Sequence, residues 1–494
     1  MARKYTIFVL FCILIIDSNI LLKMILNKKI FWILLFVGIG SKTLAENPIH
    51  RPDSVEIVNL LSEMIQINTV TGTEKPLGLY LTKWVEETDL SLRIFTDQDS
   101  AFNFMASLYP LSDNKPNYVF MGHIDDVPAD EPDWRYPPFS GKIQDGFIWG
   151  RGAIDDKGPL SMMFMALKRF SEKYGHLDLP YNLSVLVLSG EELYGDNGAK
   201  IIVDHYIHEI NPVAMFGEGG SGMIEIIPSY PDVAVFGMSI NEKVPLWLKV
   251  EAKAKSSGHG ASEAELYAAK SLIKSLLRII DSTRPIKFDK LSKKMFKELG
   301  RMEGGFKGFM IKNSYKWFAW PIMKSYFLEG GPFNILVSSS INVTEIRTES
   351  TSCNSIPQSA HAILDCRLLP GMSQKNFLAK MRLLAGNKVD ISIIHSGIHA
   401  EDSPVNESFK FMEKALLHNF ENSKVAPFLF PASSDNNYFR ALKIPVYGIT
   451  PMVTTNDIMQ RIHNSNERMP IDQLLKGYDT FYTMMEMVQG VFIE

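Results

Sequence analysis

Four short apolar runs in this chain each give way at once to small residues and then to an acid or an imidazole. Residues 118–121 (YVFM) lead into Gly122 and His123, and 147–149 (FIW) into Gly150-Arg151-Gly152 and then Asp155-Asp156. Residues 183–188 (LSVLVL) lead into Ser189-Gly190-Glu191-Glu192, and 213–216 (VAMF) into Gly217-Glu218. Apolar runs this short read as buried strands, and the continuous run at 183–188 reads as a central one. Helical patterns at 159–174 and 198–207 lie between them. Strands alternating with helices imply a mostly parallel sheet covered on both faces, and such sheets bind ligands beyond the carboxyl ends of their strands. His123, Asp155, Glu191, Glu192 and Glu218 all fall where a site is expected.

Elsewhere the pattern differs. Residues 54–67 have helical spacing with Asp53 as the expected N-cap, and 102–108 read as a strand. From 246–254 a half-exposed, alternating strand begins a new unit. A helix at 262–280, strands at 341–346 and 360–368, a helix at 376–384 and a strand at 389–394 follow. That order, β-α-β-β-α-β, is ferredoxin-like. An excursion at 284–337, rich in Lys, Gly and aromatic residues, interrupts it, and from about Ala400 the α/β character returns.

With 494 residues, two domains are the expectation. A hydrophobic content of 46% and 21% charged residues are globular values. A net charge of -4 gives no reason to expect nucleic acid as a partner. Three cysteines do not make a disulfide framework. Cys353 and Cys366 could pair if their strands adjoin, or remain two thiols. At the N-terminus, Lys28-Lys29, the apolar run 30–39 and Thr43-Leu44-Ala45 have the form of an export signal, with Met24 as an alternative start. The alternative is an uncleaved anchor, the one place where membrane contact is expected. Either way the body is expected outside the cytoplasm, periplasmic or secreted.

Singly, the polar residues at the strand ends are ordinary. A lone histidine after a strand is usually structural, and paired aspartates usually cap helices. Together, one His and several Asp within a short segment supply the N and O donors that zinc takes.

The segments GHIDDVP, PPFSG and WGRGAIDDKG, in that order, resemble the zinc aminopeptidase-fold amidohydrolases, the family of carboxypeptidase S, glutamate carboxypeptidase, aminoacylase and succinyl-diaminopimelate desuccinylase. They are most similar to the carboxypeptidase S branch, and the resemblance runs from about Asp53 to the C-terminus. It implies an α/β catalytic domain in two parts, 46–242 and 398–494, after a signal at 1–45. It also implies an inserted ferredoxin-like α+β lid or dimerisation domain at 243–397.

The resemblance also implies roles. His123, Asp155 and Glu218 would hold one zinc ion. Asp155, Glu192 and His463, in RIHNSNERMP, would hold a second, with Asp155 bridging. Glu191 would be the general base, and Asp125 would fix the ring of His123. His259, in SSGHGAS, would polarise the scissile carbonyl across a homodimer. Asn354 and Arg367 would contact the substrate carbonyl and carboxylate, Arg through paired donors. The plainer alternative for Arg367 is an ion pair with Asp365.

Four departures stand out: Gly190 and Gly217 replace aspartates, Asp126 replaces valine and Asn437 replaces arginine. The expected activity is zinc-dependent hydrolysis of small peptides or N-acyl amino acids with a free carboxylate, of carboxypeptidase or aminoacylase type. A reading of another class is a non-catalytic relative that kept the fold for binding. Tyr315, Trp317, Phe318, Trp320, Tyr326 and Phe327 either wall an apolar subsite or pack the inserted domain itself.

Overall fold

The run at 118–121 sits inside a strand whose seven residues, Asn117–His123, are all buried. The computed structural model describes residues 52–493 apart from 131, 194, 255–259, 261–266, 350 and 351. In chain order the strands are β1 (Ser91–Gln98), β2 (Ala101–Ser107), β3 (Asn117–His123), β4 (Lys142–Gln144), β5 (Phe147–Trp149), β6 (Asn182–Leu188), β7 (Pro212–Met223) and β8 (Ala234–Glu242). They continue with β9 (Val244–Lys253), β10 (Ser340–Thr348), β11 (Ser359–Leu368), β12 (Asp390–Ser396), β13 (Ser423–Phe430), β14 (Val446–Thr454) and β15 (Arg468–Pro470).

Eight strands form the main sheet, in the order β1-β2-β6-β3-β7-β14-β8-β13. Its centre, β6-β3-β7-β14, is parallel, and β8 and β13 are parallel to each other at one edge. β1 and β2 run antiparallel at the other edge. The central strands are apolar at nearly every position because helices cover both faces. On one face the helices Lys157–Tyr174 and Ile471–Gln489 pack together over Phe120, Phe216 and Val185. On the other, Ala199–His205 covers Val119, Met121 and Leu186. Of the six helices and strands expected before residue 190, all are present within a few residues of their bounds. Asp53 is a correction: it lies inside the first turn of Pro52–Gln66, where it accepts a hydrogen bond from the Tyr478 hydroxyl at 2.8 Å.

Two further corrections bear on the site. β5 does not belong to the main sheet; it pairs with β4 and β15 in a small sheet of three. The strand expected at 213–216 runs on to Met223, with a break in its pairing to β14. Gly217 pairs with Gly448 and Gly220 with Ile449, so Glu218 and Gly219 have no opposite residue. That irregularity turns Glu218 out of the ladder, as bulges do.

The second unit is a four-stranded antiparallel sheet, β10-β11-β9-β12. Its helices Ala268–Ile280 and Gln374–Ala385 pack over Leu248, Val250, Ala362 and Leu364. Connectivity and strand order are those of a ferredoxin-like fold. The excursion at 284–337 does not join this sheet. Its helices build their own core from Met295, Phe296, Phe327 and Val337, together with Val235 of β8 and Phe428 of β13. The first of them, Lys290–Glu303, is capped by the Asp289 carboxylate, which accepts from Ser292 N at 2.7 Å, and it lies against edge strand β13. Both Cys353 and Cys366 are free thiols; burial pushes Cys366 up to about 12. Among the described residues no helix is long and apolar enough to cross a membrane. The export signal, the alternative start at Met24 and His259 lie outside the described residues.

Candidate active site

β3 delivers His123 at its carboxyl end, and the ring is buried. Its Nδ1 lies 3.0 Å from the Asp125 carbonyl oxygen, which fixes one edge of the ring, and its Nε2 lies 3.0 Å from Asp155 Oδ1. The other Asp155 oxygen, Oδ2, is 3.1 Å from His463 Nε2, so one carboxylate spans two imidazoles. His463 Nε2 also lies 3.0 Å from Glu192 Oε1. His463 adopts a left-handed backbone, φ 58°, which folds the turn before β15 back towards Asp155.

Glu191 and Glu192 occupy a single 3-10 turn after β6, at Glu191–Leu193. Asp125 holds that turn: its two oxygens accept the backbone N–H groups of Glu191 and Glu192, each at 3.1 Å. Thr71 donates its hydroxyl to Asp125 at 2.9 Å. Asp125 thus sits between the histidine and the glutamate pair and positions both.

Among the described residues, two groups offer donor atoms all within 4.8 Å of one another: His123, Asp155 and Glu192; and His123, Glu191 and Glu218. Glu218 groups with Glu191 rather than with Asp155 at that distance, so Glu191 borders the same space as the donors. Four carboxylates facing two imidazoles are N and O donors of the kind that hold a divalent metal ion, and a divalent cation is what so much converging negative charge requires. The residues fit the group.

Electrostatics follow from burial. Burial lifts the Glu191 and Glu218 carboxyls well above the usual carboxylate range, and the neighbouring acids push the same way. For His463 burial acts downward, but the Asp155 and Glu192 carboxylates outweigh it and raise the ring to about 10. Asp155 is held low despite its burial, because both histidines donate to it.

The loop bearing Asp155 is clamped by residues with no expected role. Glu467 is buried; its Oε1 accepts the backbone N–H of Ile154 at 2.9 Å and of Asp155 at 3.3 Å. Its Oε2 pairs with Arg151 Nη1 at 2.9 Å. Burial raises Glu467 to about 7. Asp156 turns inward and accepts His123 N at 3.2 Å. Gly122 is required there: a Cβ would meet Asp156 Oδ2 at 2.2 Å. Asp126, the departure from valine, pairs with Lys157 Nζ. On the far side Glu242 accepts from Ser434 and Arg440, fixing the turn that carries Asp435. Arg151 and Glu467 were visible only as members of GRG and HNSNE; nothing in either segment announces a partner more than 300 residues away.

These groups open onto a cavity of about 410 Å³. The main-sheet side contributes Asp155, Glu191, Glu192, Glu218, Asp435 and His463. The antiparallel-sheet side contributes Trp247, Arg367 and His395. Arg367 does pair with Asp365, Nε to Oδ1 at 2.8 Å, and its Nη1 donates to Ser433 at 2.6 Å, across the two units. Asn354 is not on this wall; it is exposed on a turn, where its carbonyl accepts Gly260 N at 2.7 Å. Asn437 is on the wall, donating to Ile398 O at 3.3 Å. None of the six excursion aromatics lines the cavity, so the apolar-subsite expectation is overturned. Phe327 and Trp320 pack inside the excursion, while Trp317, Phe318 and Tyr326 are exposed.

Comparison with known proteins agrees with this arrangement. "Probable carboxypeptidase S-like 2" of Dictyostelium discoideum is 27% identical over 408 residues, covering 80% of this chain and 76% of the relative. The human "N-fatty-acyl-amino acid synthase/hydrolase PM20D1" is 25% identical over 450 residues, covering 87% and 86%. Among solved structures, the M20 family metallo-carboxypeptidase Sso-CP2 of Sulfolobus solfataricus superposes with a TM-score of 0.67 at 18% identity, over 87% of this chain and 98% of that one. The profile of "Peptidase family M20/M25/M40" matches residues 119–487, a span that takes in both sheets and the cluster from His123 to His463, and the chain belongs to that family of metal-dependent hydrolases.

Proposed function

We propose that this protein is a zinc-dependent hydrolase of the amide bond in small peptides or N-acyl amino acids that carry a free carboxylate. The observation that supports it most is the two-sided cavity wall, with acids and imidazoles on one side and the Arg367 guanidinium on the other. His123, Asp155 and Glu218 would hold one zinc ion, and Asp155, Glu192 and His463 a second. Bound there, the metal supplies Lewis-acid polarisation and a water of lowered pKa. Glu191 takes a proton from the water as its oxygen bonds to the carbonyl carbon. It returns that proton to the nitrogen as the C–N bond breaks. Asp125 holds the Glu191 backbone and the His123 ring in register for this.

Arg367 binds the substrate carboxylate, its charge already shared with Asp365. His259 acts on the scissile carbonyl from the inserted domain of a partner in a homodimer, and Asn354 contacts the substrate carbonyl. The proposed divisions are 46–242 and 398–494 for the catalytic domain and 243–397 for the inserted one, in an enzyme exported from the cytoplasm. The carboxypeptidase and aminoacylase forms of this activity differ only in the acyl group accepted. The full donor set and the half-buried Glu191 beside it favour either over a binding-only relative.

The test is a panel of dipeptides and N-acyl amino acids, each with its carboxamide counterpart, assayed with metal analysis of the same preparation. Turnover of free acids, lost on amidation and on chelation, is expected. Equal turnover of acids and carboxamides would remove Arg367 from the carboxylate role. Bound metal with no turnover of any substrate would leave the binding-only reading.

A further inference from the structure

The excursion carries a surface that amide hydrolysis does not use. Between Arg284 and Val337 the chain has eleven Lys and Arg and four Asp and Glu, in a protein of net charge -4. Four of its large apolar side chains stand in solvent: Trp317 is 86% exposed, Phe306 72%, Ile322 59% and Phe309 51%.

They form one patch. Trp317 meets Phe318 edge-on at 6.0 Å, and Phe318 stacks on Phe309 at 5.9 Å. Phe306 lies one turn before Phe309 in the helix Gly305–Lys312, a spacing that puts both on one face. Ile322 lies one turn beyond Phe318. Lys307, Lys312, Lys316 and Lys324, all exposed, are interleaved with these residues.

Packing does not account for the exposure. The excursion has a core of its own, closed by Phe296, Phe327 and Trp320, and those rings are turned inward. A contiguous exposed apolar patch on a folded protein marks an interaction surface. Tryptophan and phenylalanine ringed by lysine suit a bilayer interface: the rings enter the headgroup region while the ammonium groups stay at the phosphates. A second copy meeting this face by two-fold symmetry would set lysines against lysines. An anionic lipid surface neutralises them.

We propose that the Phe306–Ile322 face docks on anionic membrane surfaces, a contact separate from any N-terminal anchor. Docking would hold the body of the enzyme at the bilayer by a reversible contact.

Brominated-lipid quenching tests this on the full chain. Tryptophan fluorescence is recorded with vesicles of brominated phosphatidylcholine, alone or mixed with brominated phosphatidylglycerol. Wild type is compared with Trp317→Phe, so that the difference reports residue 317 whatever the N-terminus does. In mixed vesicles the expected result is quenching that Trp317→Phe lacks. Each of Lys307, Lys312 and Lys316 changed to Gln should weaken the docking roughly fivefold, and the triple variant should lose it. Circular dichroism of these surface variants checks their folding. Quenching no greater in wild type than in Trp317→Phe, or equal in pure phosphatidylcholine, overturns the proposal. So does concentration-dependent shielding of Trp317 from acrylamide without vesicles, which would assign the patch to a second copy.

Discussion

Lys157 Nζ lies 2.6 Å from Asp126 Oδ2, and neither side chain reaches solvent. Asp126 follows Asp125 and Lys157 follows Asp156 in the chain, and the pairing gives Asp126 a reason to stand where the resemblance led one to expect valine. Thr69 donates to the same Asp126 oxygen and Lys157 also donates to the Ile67 carbonyl, while Asp126 Oδ1 is buried with no hydrogen-bond partner among the described residues. Removing one partner strands the other charge, which typically costs about 3–5 kcal/mol, whereas an apolar pair of similar volume is often neutral. Asp126→Val and Lys157→Met should therefore each lower the denaturation midpoint sharply, and the double variant should recover most of the loss. Additive losses in the double variant would show that the pair is not coupled.

Glu191→Gln should keep its metal and lose about two to four orders of magnitude in kcat. Glu192→Gln should lose metal as well. Metal content by elemental analysis, set beside kcat, separates the two. If Glu191→Gln released metal while Glu192→Gln kept it, the roles would be exchanged.

Glu467 does not line the cavity, yet it accepts the backbone N–H groups of both Ile154 and Asp155. Groups that orient a ligand in this way typically contribute about 10–100-fold in metal affinity. Glu467→Gln should weaken metal retention against a competing chelator by that factor, while substrate KM at saturating metal stays near wild type. Unchanged metal affinity would reduce Glu467 to a packing role.

Lys243, at the junction of β8 and β9, has a buried Nζ with no hydrogen-bond acceptor among the described residues. Burial, and then the nearby Arg367 charge, lower it to about 8. Below pH 8 the folded and unfolded chains both carry this proton, so folding bears the whole desolvation cost, on the order of 3 kcal/mol. As pH rises through 8 towards the unfolded value near 10.5, that cost fades. Lys243→Met should be more stable than wild type at pH 7, with the gap closing by about pH 10. Urea midpoints at the two pH values measure it; a gap independent of pH would mean that Lys243 is not buried as a cation.

What could be read from sequence was what local pattern encodes. LSVLVL can only be a strand buried on both faces, and Glu191-Glu192 must then lie at its carboxyl end. The ferredoxin-like order was legible because β9 and β11 alternate cleanly. Glu218 could be read as following an apolar run, but not the broken pairing that turns it out of a longer strand, since a bulge depends on the partner strand. The excursion misled for the same reason: aromatic composition does not say which neighbour the rings will meet, and here it was edge strand β13 rather than the cavity. Arg151–Glu467 and Asp126–Lys157 were invisible because each is a fact about two distant segments at once.

The clamp between Arg151 and Glu467 ties two distant parts of the chain into one site. His123, Asp155, Glu191 and Glu218 all lie between β3 and β7, but His463 and the carboxylate that pins the Asp155 loop come more than 240 residues later, next to β15. The strands β3, β6 and β7 by themselves therefore hold an unfinished site. The site is closed by residues from early and late in the chain, and a chain truncated before His463 should lack both that imidazole and the pin on the Asp155 loop.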